Sequence, residues 1–401
     1  MQQYDKVTPE GTKDSLFEEC RARAAAQQAL TSVFEAFGYA PVATPHLEYY
    51  DVFRRVSAEW LAEQLYSATD SRGRLLVLRP DSTLPIARVA ATRLRAAALP
   101  LRLYYHQSVF RRSRFYTGRS DETMQSGVEL LGARGLRADL EILQCAAEAL
   151  RACGQSRFRI ELGHAGIFPC LADSLGAHGE LRDALTAAVE TKNFPSMAAL
   201  LAPFGESGAA RAMEALPRLF GGGEVLRRAK TLFQSVEARG PLAYLAQLYA
   251  RLEVLGLHDS IDIDLGLVHG QRYYTGLVFR GYIEGSGRTV LSGGRYDGLL
   301  AEFGRPAAAV GFGVALDSLA EALLETGALE PSPGAQTLVF GAEGFEAQAL
   351  QKACELRKIG GRVTYSVQES LEDALAFAKE HAIPRVLAID GKGEKILDIR
   401  L

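Results

Sequence analysis

The sequence has few cysteines, and none lies in a metal-binding or redox pattern. The five cysteines are scattered without a C-x-x-C pair, at Cys20, Cys145, Cys153, Cys170 and Cys354. This spacing argues against a zinc site and a thiol redox motif. An odd, scattered set is more typical of reduced thiols in the cytosol than of a disulfide framework. We therefore predict a cytoplasmic protein, and we expect neither a bound metal nor a cofactor.

Long apolar runs, a leader pattern and an excess of charge are also missing. No stretch of about 18 apolar residues occurs, so no membrane span is expected. The start, MQQYDKVTPEGTKD, lacks the basic-then-apolar order of a signal peptide. The net charge is −3, from 45 basic and 48 acidic residues. General nucleic-acid binders usually carry a basic excess, so this balance argues against that class.

The hydrophobic pattern is typical of an α+β protein with two or three domains. Strands are predicted at 75–80, 101–112, 122–132, 158–164, 260–268, 273–284 and 289–293, and a strand leads into a helix over 307–325. Helices are predicted at 15–37 and 137–154, and one follows the strand at 75–80. In the strand at 122–132, a period of two places Thr123, Gln125 and Glu129 on one face.

Composition divides the chain into a core, a linker and a small domain. Residues 1–325 form the core, and within it residues 167–258 have helical periodicity and predict an inserted helical subdomain. Residues 326–335, TGALEPSPGA, are a linker by composition. Residues 336–401 alternate strand and helix and predict a small α/β domain.

Four polar segments carry the candidate chemistry. They are RPDST (79–83), an arginine-rich loop followed by Gln125 and Glu129, HGQRYYTG (269–276) and SGGRYDGL (292–299). A helix N-terminus and arginines suit an anion, and carboxylates suit an amine. Tyrosines supply apolar walls that also form hydrogen bonds. Together these groups could hold an amino acid, whose two ends carry opposite charges.

Each segment taken singly has a plain structural explanation. Asp81, Ser82 and Thr83 suit a helix cap, and an arginine-rich loop is usually a solvated surface. The GGRYDG segment could be a tight turn, and His269 could be a turn residue. The order of the segments along the chain is therefore more informative than any one of them.

That order resembles histidyl-tRNA synthetase, a class II aminoacyl-tRNA synthetase. PEGTKD (9–14) is similar to its start, and FRRSRFYTGRSDETMQSGVELLG (110–132) is similar to its motif 2. LVHGQRYYTGLVF (267–279) and SGGRYDGL resemble its two histidine signatures, and AVGFGVALDSL (309–319) resembles motif 3. The resemblance implies a class II synthetase-like antiparallel sheet core with a helical insertion. It also implies that the small C-terminal domain is a shortened anticodon-binding domain.

Several catalytic positions of that family are altered here. Arg111 is retained, but the resemblance puts Ser113 at a glutamate position, and Asp121, His269 and Ser318 at arginine positions. Adenylate formation depends on placed positive charge, and Asp121 would repel phosphate. We therefore expect a degenerate synthetase site without catalytic residues.

The amino-acid side of the pocket is better retained. The resemblance implies candidate histidine contacts at Asp81, Thr83, Arg111, Gln125, Glu129, Tyr273, Tyr274 and Tyr296. Residues 336–401 carry nine basic and ten acidic residues, a net charge of −1. Phosphate neutralisation dominates nucleic-acid affinity, so tRNA binding is not expected.

This combination resembles the regulatory subunits of ATP phosphoribosyltransferase, paralogues of the synthetase in histidine biosynthesis. The resemblance implies a non-catalytic homodimer within a hetero-oligomer. A short catalytic subunit would need it for activity, and histidine would inhibit the complex through it. The alternatives are an active histidyl-tRNA synthetase, revealed by histidine-dependent ATP–pyrophosphate exchange, and another synthetase-like amino-acid ligase.

Overall fold

A computed structural model of the chain describes residues 4–54, 65–112, 120–233, 238–268, 273–327 and 334–399. The chain divides into two units, Met1–Ala328 and Leu329–Leu401. Each unit is built around its own main sheet. The predicted α+β class is confirmed.

The larger unit contains helices α1–α12 and strands β1–β12. The helices are α1 (Phe17–Ala36), α2 (Asp51–Arg54), α3 (Thr83–Ala91), α4 (Leu136–Ala152), α5 (Ile167–Ser174), α6 (Gly179–Glu190), α7 (Phe194–Leu201), α8 (Gly208–Ala215), α9 (Glu224–Leu232), α10 (Arg239–Val254), α11 (Leu299–Glu302) and α12 (Leu316–Glu325). The strands are β1 (Ala40–Pro41), β2 (Leu47–Tyr49), β3 (Ser67–Thr69), β4 (Leu75–Leu78), β5 (Leu101–Phe110), β6 (Glu122–Leu131), β7 (Phe158–His164), β8 (Phe220–Gly221), β9 (Ile261–Asp264), β10 (Leu277–Ile283), β11 (Leu291–Arg295) and β12 (Ala309–Ala315).

Nine of these described strands form one sheet in the order β1-β5-β6-β12-β11-β10-β7-β9-β8. Most neighbours are antiparallel, as the sequence predicts, but the β1–β5 and β7–β9 pairs are parallel. Helices α5 to α10 lie between β7 and β9 in the chain and form the helical insertion. The sheet is therefore mixed, and its parallel pairs were not predicted.

The two faces of this sheet have different coverings. On one face, Val128 and Leu130 pack with residues of α1, α4, α12 and the insertion. On the other face, Leu131 and Leu103 pack with α3, α11 and the small sheet β2-β4-β3. The alternation predicted for β6 explains this division, because successive side chains point to opposite faces.

Strands β8, β9 and β10 differ most from the prediction. Strand β9 ends at Asp264 instead of 268, because the Asp264 carboxylate accepts the Gly266 N–H at 2.9 Å and turns the chain. Strand β10 begins at Leu277, which leaves Tyr273 and Tyr274 outside the strand. The two-residue strand β8 lies within the insertion, where no strand was predicted.

The smaller unit is a four-stranded α/β domain. Its elements are β13 (Thr337–Gly341), α13 (Glu346–Lys358), β14 (Val363–Tyr365), α14 (Leu371–Glu380), β15 (Arg385–Asp390) and β16 (Gly393–Asp398). The strand order is β14-β13-β15-β16, with only β16 antiparallel to its neighbour among the described strands. Helices α13 and α14 pack with separate apolar clusters of alternate strand residues, so the sheet is covered on both faces.

The small sheet of the larger unit has an apolar outer face. Leu47 and Tyr49 of β2 are exposed, and their cross-strand partners Leu78 and Leu76 are half-buried. No helix in the described parts of the chain combines the length and apolar character needed to cross a bilayer. Because β2 and β4 are paired, these four apolar side chains form one local patch.

Substitution of Leu143 in α4 tests whether the residues assigned to the core stabilise the fold. Its side chain is fully buried, so Leu143→Ala removes packed atoms and leaves a cavity. We expect the free energy of unfolding to fall by about 2–5 kcal/mol. Urea unfolding monitored by circular dichroism measures this change. Leu255→Ala is the control, because Leu255 lies at the end of a helix and is 47% exposed. Equal losses in both variants would contradict the assigned core.

Candidate functional site

Glycines in the central strands form the floor of the candidate site. Gly127 of β6 lies opposite Gly313 of β12, and Gly311 of β12 lies opposite Gly294 of β11. A Cβ on Gly313 would lie 2.5 Å from Gln125 Nε2, and a Cβ on Gly294 would lie 2.6 Å from the ring of Tyr274. The missing Cβ atoms therefore let polar and aromatic side chains lie flat on the sheet.

Glu129 of β6 is buried, and its carboxyl lies against Gly311 of the glycine floor. Its carboxyl accepts hydrogen bonds from Thr83 Oγ1 at 2.7 Å and from the Tyr296 hydroxyl. Burial and, to a smaller extent, the neighbouring Asp81 raise the pKa of Glu129 to about 8, although the two hydrogen bonds oppose the shift. Glu129 is therefore largely protonated at neutral pH.

Asp81 is positioned by the start of α3. Its Oδ1 accepts the Leu84 N–H at 3.1 Å, so Asp81 supplies the cap that the sequence predicts. Arg111 donates from Nε to the Pro80 carbonyl at 2.6 Å, and its Nη2 lies 3.9 Å from Asp81 Oδ2. Burial raises the pKa of Asp81, and Arg111 lowers it. This end of the pocket thus carries both an acidic and a basic group.

Tyrosines form the pocket wall. The ring centroid of Tyr273 lies 4.8 Å from that of Tyr274 and 5.8 Å from that of Tyr296. Burial is the largest cause that raises the pKa of all three hydroxyls, and Glu129 raises it further in each, so they remain neutral donors. All eight predicted contact residues are thus brought to one region of the sheet.

The sequence analysis missed Tyr105, a buried residue of β5 in the same pocket. Tyr105 lies directly opposite Gly127, and a Cβ on Gly127 would lie 2.5 Å from its hydroxyl. Burial, with Glu129 next, raises the pKa of Tyr105. The signal that could have revealed it is the glycine of the QSGVE segment facing an aromatic position on the neighbouring strand.

An open cleft of about 1300 Å³ adjoins the pocket at Gln125 and Arg111. Among the described residues, the buried Gln125 Oε1 has no hydrogen-bond partner. Ser318 lines the cleft, as do cationic and anionic side chains. Arg23 of α1 is one of the cations, and its Nη2 lies 2.8 Å from Asp317 Oδ1. Much of the basic charge in the cleft is therefore offset by carboxylates.

Asp121 lies at the base of the arginine-rich loop and is buried. Its carboxylate accepts the Tyr66 hydroxyl at 2.5 Å, and its N–H donates to the Gly11 carbonyl at 2.7 Å. At the start of β6, Asp121 therefore joins Gly11 of the N-terminal segment to Tyr66. Ser113 and His269, also predicted as altered synthetase positions, lie outside the described residues. No three His, Cys, Asp or Glu side chains within the described ranges converge as a metal site.

The mostly antiparallel sheet, the glycine floor and the order of the polar segments define a class II aminoacyl-tRNA synthetase-like core. The sequence model of the histidyl-tRNA synthetase family matches residues 11–319. A histidyl-tRNA synthetase structure from Nostoc sp. PCC 7120 has a TM-score of 0.77 at 22% identity, over 99% of this chain and 95% of that one. At that identity, the likeness concerns the fold alone.

Closer relatives identify the particular family. The ATP phosphoribosyltransferase regulatory subunit of Clostridium kluyveri is 36% identical over 90% of this chain and 93% of its own length. That of Bacillus cereus is 33% identical over 99% and 94%. A crystal structure named as an ATP phosphoribosyltransferase regulatory subunit/histidyl-tRNA synthetase from Bacillus halodurans C has a TM-score of 0.86 at 32% identity, over 97% and 99%. The chain belongs to the family of ATP phosphoribosyltransferase regulatory subunits.

The raised pKa of Glu129 makes stability depend on pH. Between its usual pKa near 4.5 and the folded value of about 8, the folded chain binds a proton that the unfolded chain has lost. Stability therefore falls as pH rises through this window, by about 3–5 kcal/mol in total. Glu129→Gln removes this contribution, so we expect the variant to gain stability relative to the unmodified chain between pH 5 and pH 8.5.

Urea unfolding of both proteins at the two pH values measures that gain. Thr83→Val is a control, because it removes one hydrogen bond to Glu129 and keeps the titrating group. A stability difference for Glu129→Gln that is the same at pH 5 and pH 8.5 would mean that Glu129 is ionised throughout.

Proposed function

We propose that a short catalytic ATP phosphoribosyltransferase subunit requires this regulatory subunit for activity, and that histidine inhibits the complex by binding the tyrosine pocket. The pocket is defined by Glu129, Asp81, Gln125 and the tyrosines 105, 273, 274 and 296. The observation that supports the proposal is the cluster of buried carboxyl groups and tyrosines beside a cleft in which Arg23 is paired with Asp317. Such a site can bind an amino acid without activating it.

The groups of the pocket match both ends of histidine. The ammonium and the imidazole N–H are donors, and Gln125 Oε1, Asp81 and Glu129 supply acceptors. Arg111 suits the carboxylate. A cationic ammonium beside Glu129 favours its ionised form, so histidine binding at neutral pH should release a proton.

The adjoining cleft is poorly suited to adenylate formation. Transition-state stabilisation there requires positive charge aimed at the phosphates, and loss of one such donor costs about 2.7–4 kcal/mol in related chemistry. The motif 3 position is Ser318, and Arg23, which enters the same cleft, is paired with Asp317. We therefore infer that the chain does not act as a synthetase.

Inhibition at this pocket follows from a difference in affinity. A ligand shifts an equilibrium between active and less active arrangements only when it binds one of them more tightly. Histidine would therefore bind better when the complex is in its less active arrangement.

Phosphoribosyl-ATP formation tests this function directly. We expect a short catalytic subunit from the same genome to be inactive alone, active with this chain, and inhibited again by histidine. Pyrophosphate release measures each state. Activity of the catalytic subunit that is independent of this chain would contradict the proposed requirement.

A double variant tests the location of the histidine site. Gln125→Ala with Tyr274→Ala removes an acceptor and a wall, so we expect histidine affinity to fall at least tenfold, about 1.4 kcal/mol. Isothermal titration calorimetry measures the affinity, and Tyr249→Phe, in the insertion, is the control. Unchanged histidine binding by the double variant would move the inhibitory site elsewhere, for example to the subunit interface.

We also propose that the chain forms a homodimer through the apolar outer face of β2 and β4. A patch of exposed leucine and tyrosine beside half-buried leucines is typical of a subunit contact. Leu47→Asp places a charge in this contact, and analytical ultracentrifugation should then show monomers. Leu255→Asp is a matched control, because Leu47 and Leu255 are both 47% exposed. An unchanged dimer in Leu47→Asp would exclude this face.

Histidyl-tRNA synthetase activity is the second candidate, because Arg111 and an open cleft remain. Histidine-dependent exchange between ATP and pyrophosphate would reveal it. The same assay would detect another amino-acid ligase if other amino acids were supplied. The near-neutral charge of the C-terminal unit argues against tRNA binding.

A further inference from the structure

Arg295 is the centre of a buried network beside the pocket. Its five N–H groups have five acceptor contacts. Nε and Nη2 donate to Asp139 Oδ1 at 3.0 and 2.5 Å, and Nη2 also donates to the Gly135 carbonyl at 3.4 Å. Nη1 donates to the Ala133 carbonyl at 3.1 Å and to Asp297 Oδ1 at 2.9 Å. Arg295 and Asp139 are both buried. Because no donor is left over, the guanidinium has little freedom to rotate.

The network extends into the helical insertion. Tyr244 of α10 donates its hydroxyl to Asp139 Oδ2 at 2.5 Å, so the two oxygens of one carboxylate join the insertion to Arg295. The ring of Tyr244 also packs edge-on against His164, with centroids 5.9 Å apart. The insertion is thus attached to the core by a charge-assisted hydrogen bond.

The same network reaches the pocket tyrosines. The Arg295 carbonyl accepts the Thr275 N–H at 2.7 Å, and Thr275 Oγ1 accepts the Asp297 N–H at 3.0 Å. Thr275 directly follows Tyr274, and Tyr296 directly follows Arg295. The next carbonyl, that of Gly276, accepts the N–H of Ala165 at 2.8 Å, at the start of the insertion.

We propose that Tyr244, Asp139 and Arg295 act as one positioning unit that couples the helical insertion to the tyrosine pocket. Arg295 fixes the backbone on both sides of the pocket wall, and Tyr244 fixes the carboxylate that holds Arg295. None of the three is assigned a contact with the ligand. The coupling to histidine rests on the proposed function, whereas the positioning of the wall does not.

The tyrosine hydroxyl allows a small and matched test. Tyr244→Phe removes only the hydroxyl, which donates to Asp139 and also interacts with Arg295. Tyr249→Phe on the same helix removes a phenol that lies against Gly222 and Gly223, away from the pocket. In the full-length ligand-free chain, we expect Tyr244→Phe to speed hydrogen exchange of the Thr275 and Asp297 amides about tenfold, and Tyr249→Phe to leave both unchanged.

Histidine binding then tests the coupling. We expect histidine to slow amide exchange at Ala165 and in α10 of the unmodified chain, because coupling between two sites is reciprocal. This protection should disappear in Tyr244→Phe, with an affinity about tenfold weaker. A purely structural tyrosine would lower thermal stability without changing the protection caused by histidine.

The outcomes separate the two proposals. If the unmodified chain does not bind histidine, the proposed function fails, and the ligand-free exchange rates still decide whether the unit positions the wall. Unchanged Thr275 and Asp297 exchange in both Tyr244→Phe and the second variant Asp139→Asn would overturn the positioning unit. Equal effects of Tyr244→Phe and Tyr249→Phe on histidine affinity would overturn the coupling.

Discussion

The candidate site depends on the absence of Cβ atoms in the middle of the sheet. Glycine is costly in a strand, because it contributes no packing and loses much conformational freedom. At Gly127, Gly294, Gly311 and Gly313, this cost creates the space in which Tyr105, Tyr274, Gln125 and Glu129 lie against the backbone. A Cβ on Gly311 would meet the Glu129 carboxyl itself. The pocket therefore requires glycine at these four positions, because any larger residue would overlap the side chains that line it.

The pocket and the cleft differ in the charged groups that they contain and in how those groups are paired. The pocket surrounds acidic groups with tyrosines, and burial favours their protonated forms. The cleft keeps basic side chains, but Arg23 is paired with Asp317, whose other oxygen accepts the Met124 N–H at 2.8 Å. Burial therefore favours the neutral form of the carboxyl groups in one region, whereas in the other a carboxylate lies against a lining arginine.

The sequence predicted the strands of this site and the side chains on each strand face. It predicted less well the contacts between elements that are distant in sequence. Alternation along β6 put Gln125 and Glu129 on one face, because the period of a strand is fixed by its backbone. Tyr105 was missed because its role depends on pairing with Gly127 in another strand. The Arg295 unit was also missed, because Asp139 and Tyr244 are distant in sequence and each has an ordinary helical context. Such contacts depend on tertiary packing, which residue spacing does not encode.

The parallel pairing of β7 with β9 restricts how the helical insertion can change in length. An antiparallel pair can be joined by two residues, but a parallel pair needs a connection that returns along the full strand, usually a dozen residues or more. In this chain the path from Ala165 to Ser260 makes that return. The insertion can therefore shrink only to a minimal crossover. A shorter link would reverse β9, remove its pairing with β7, and expose the edge of the sheet that β9 now covers.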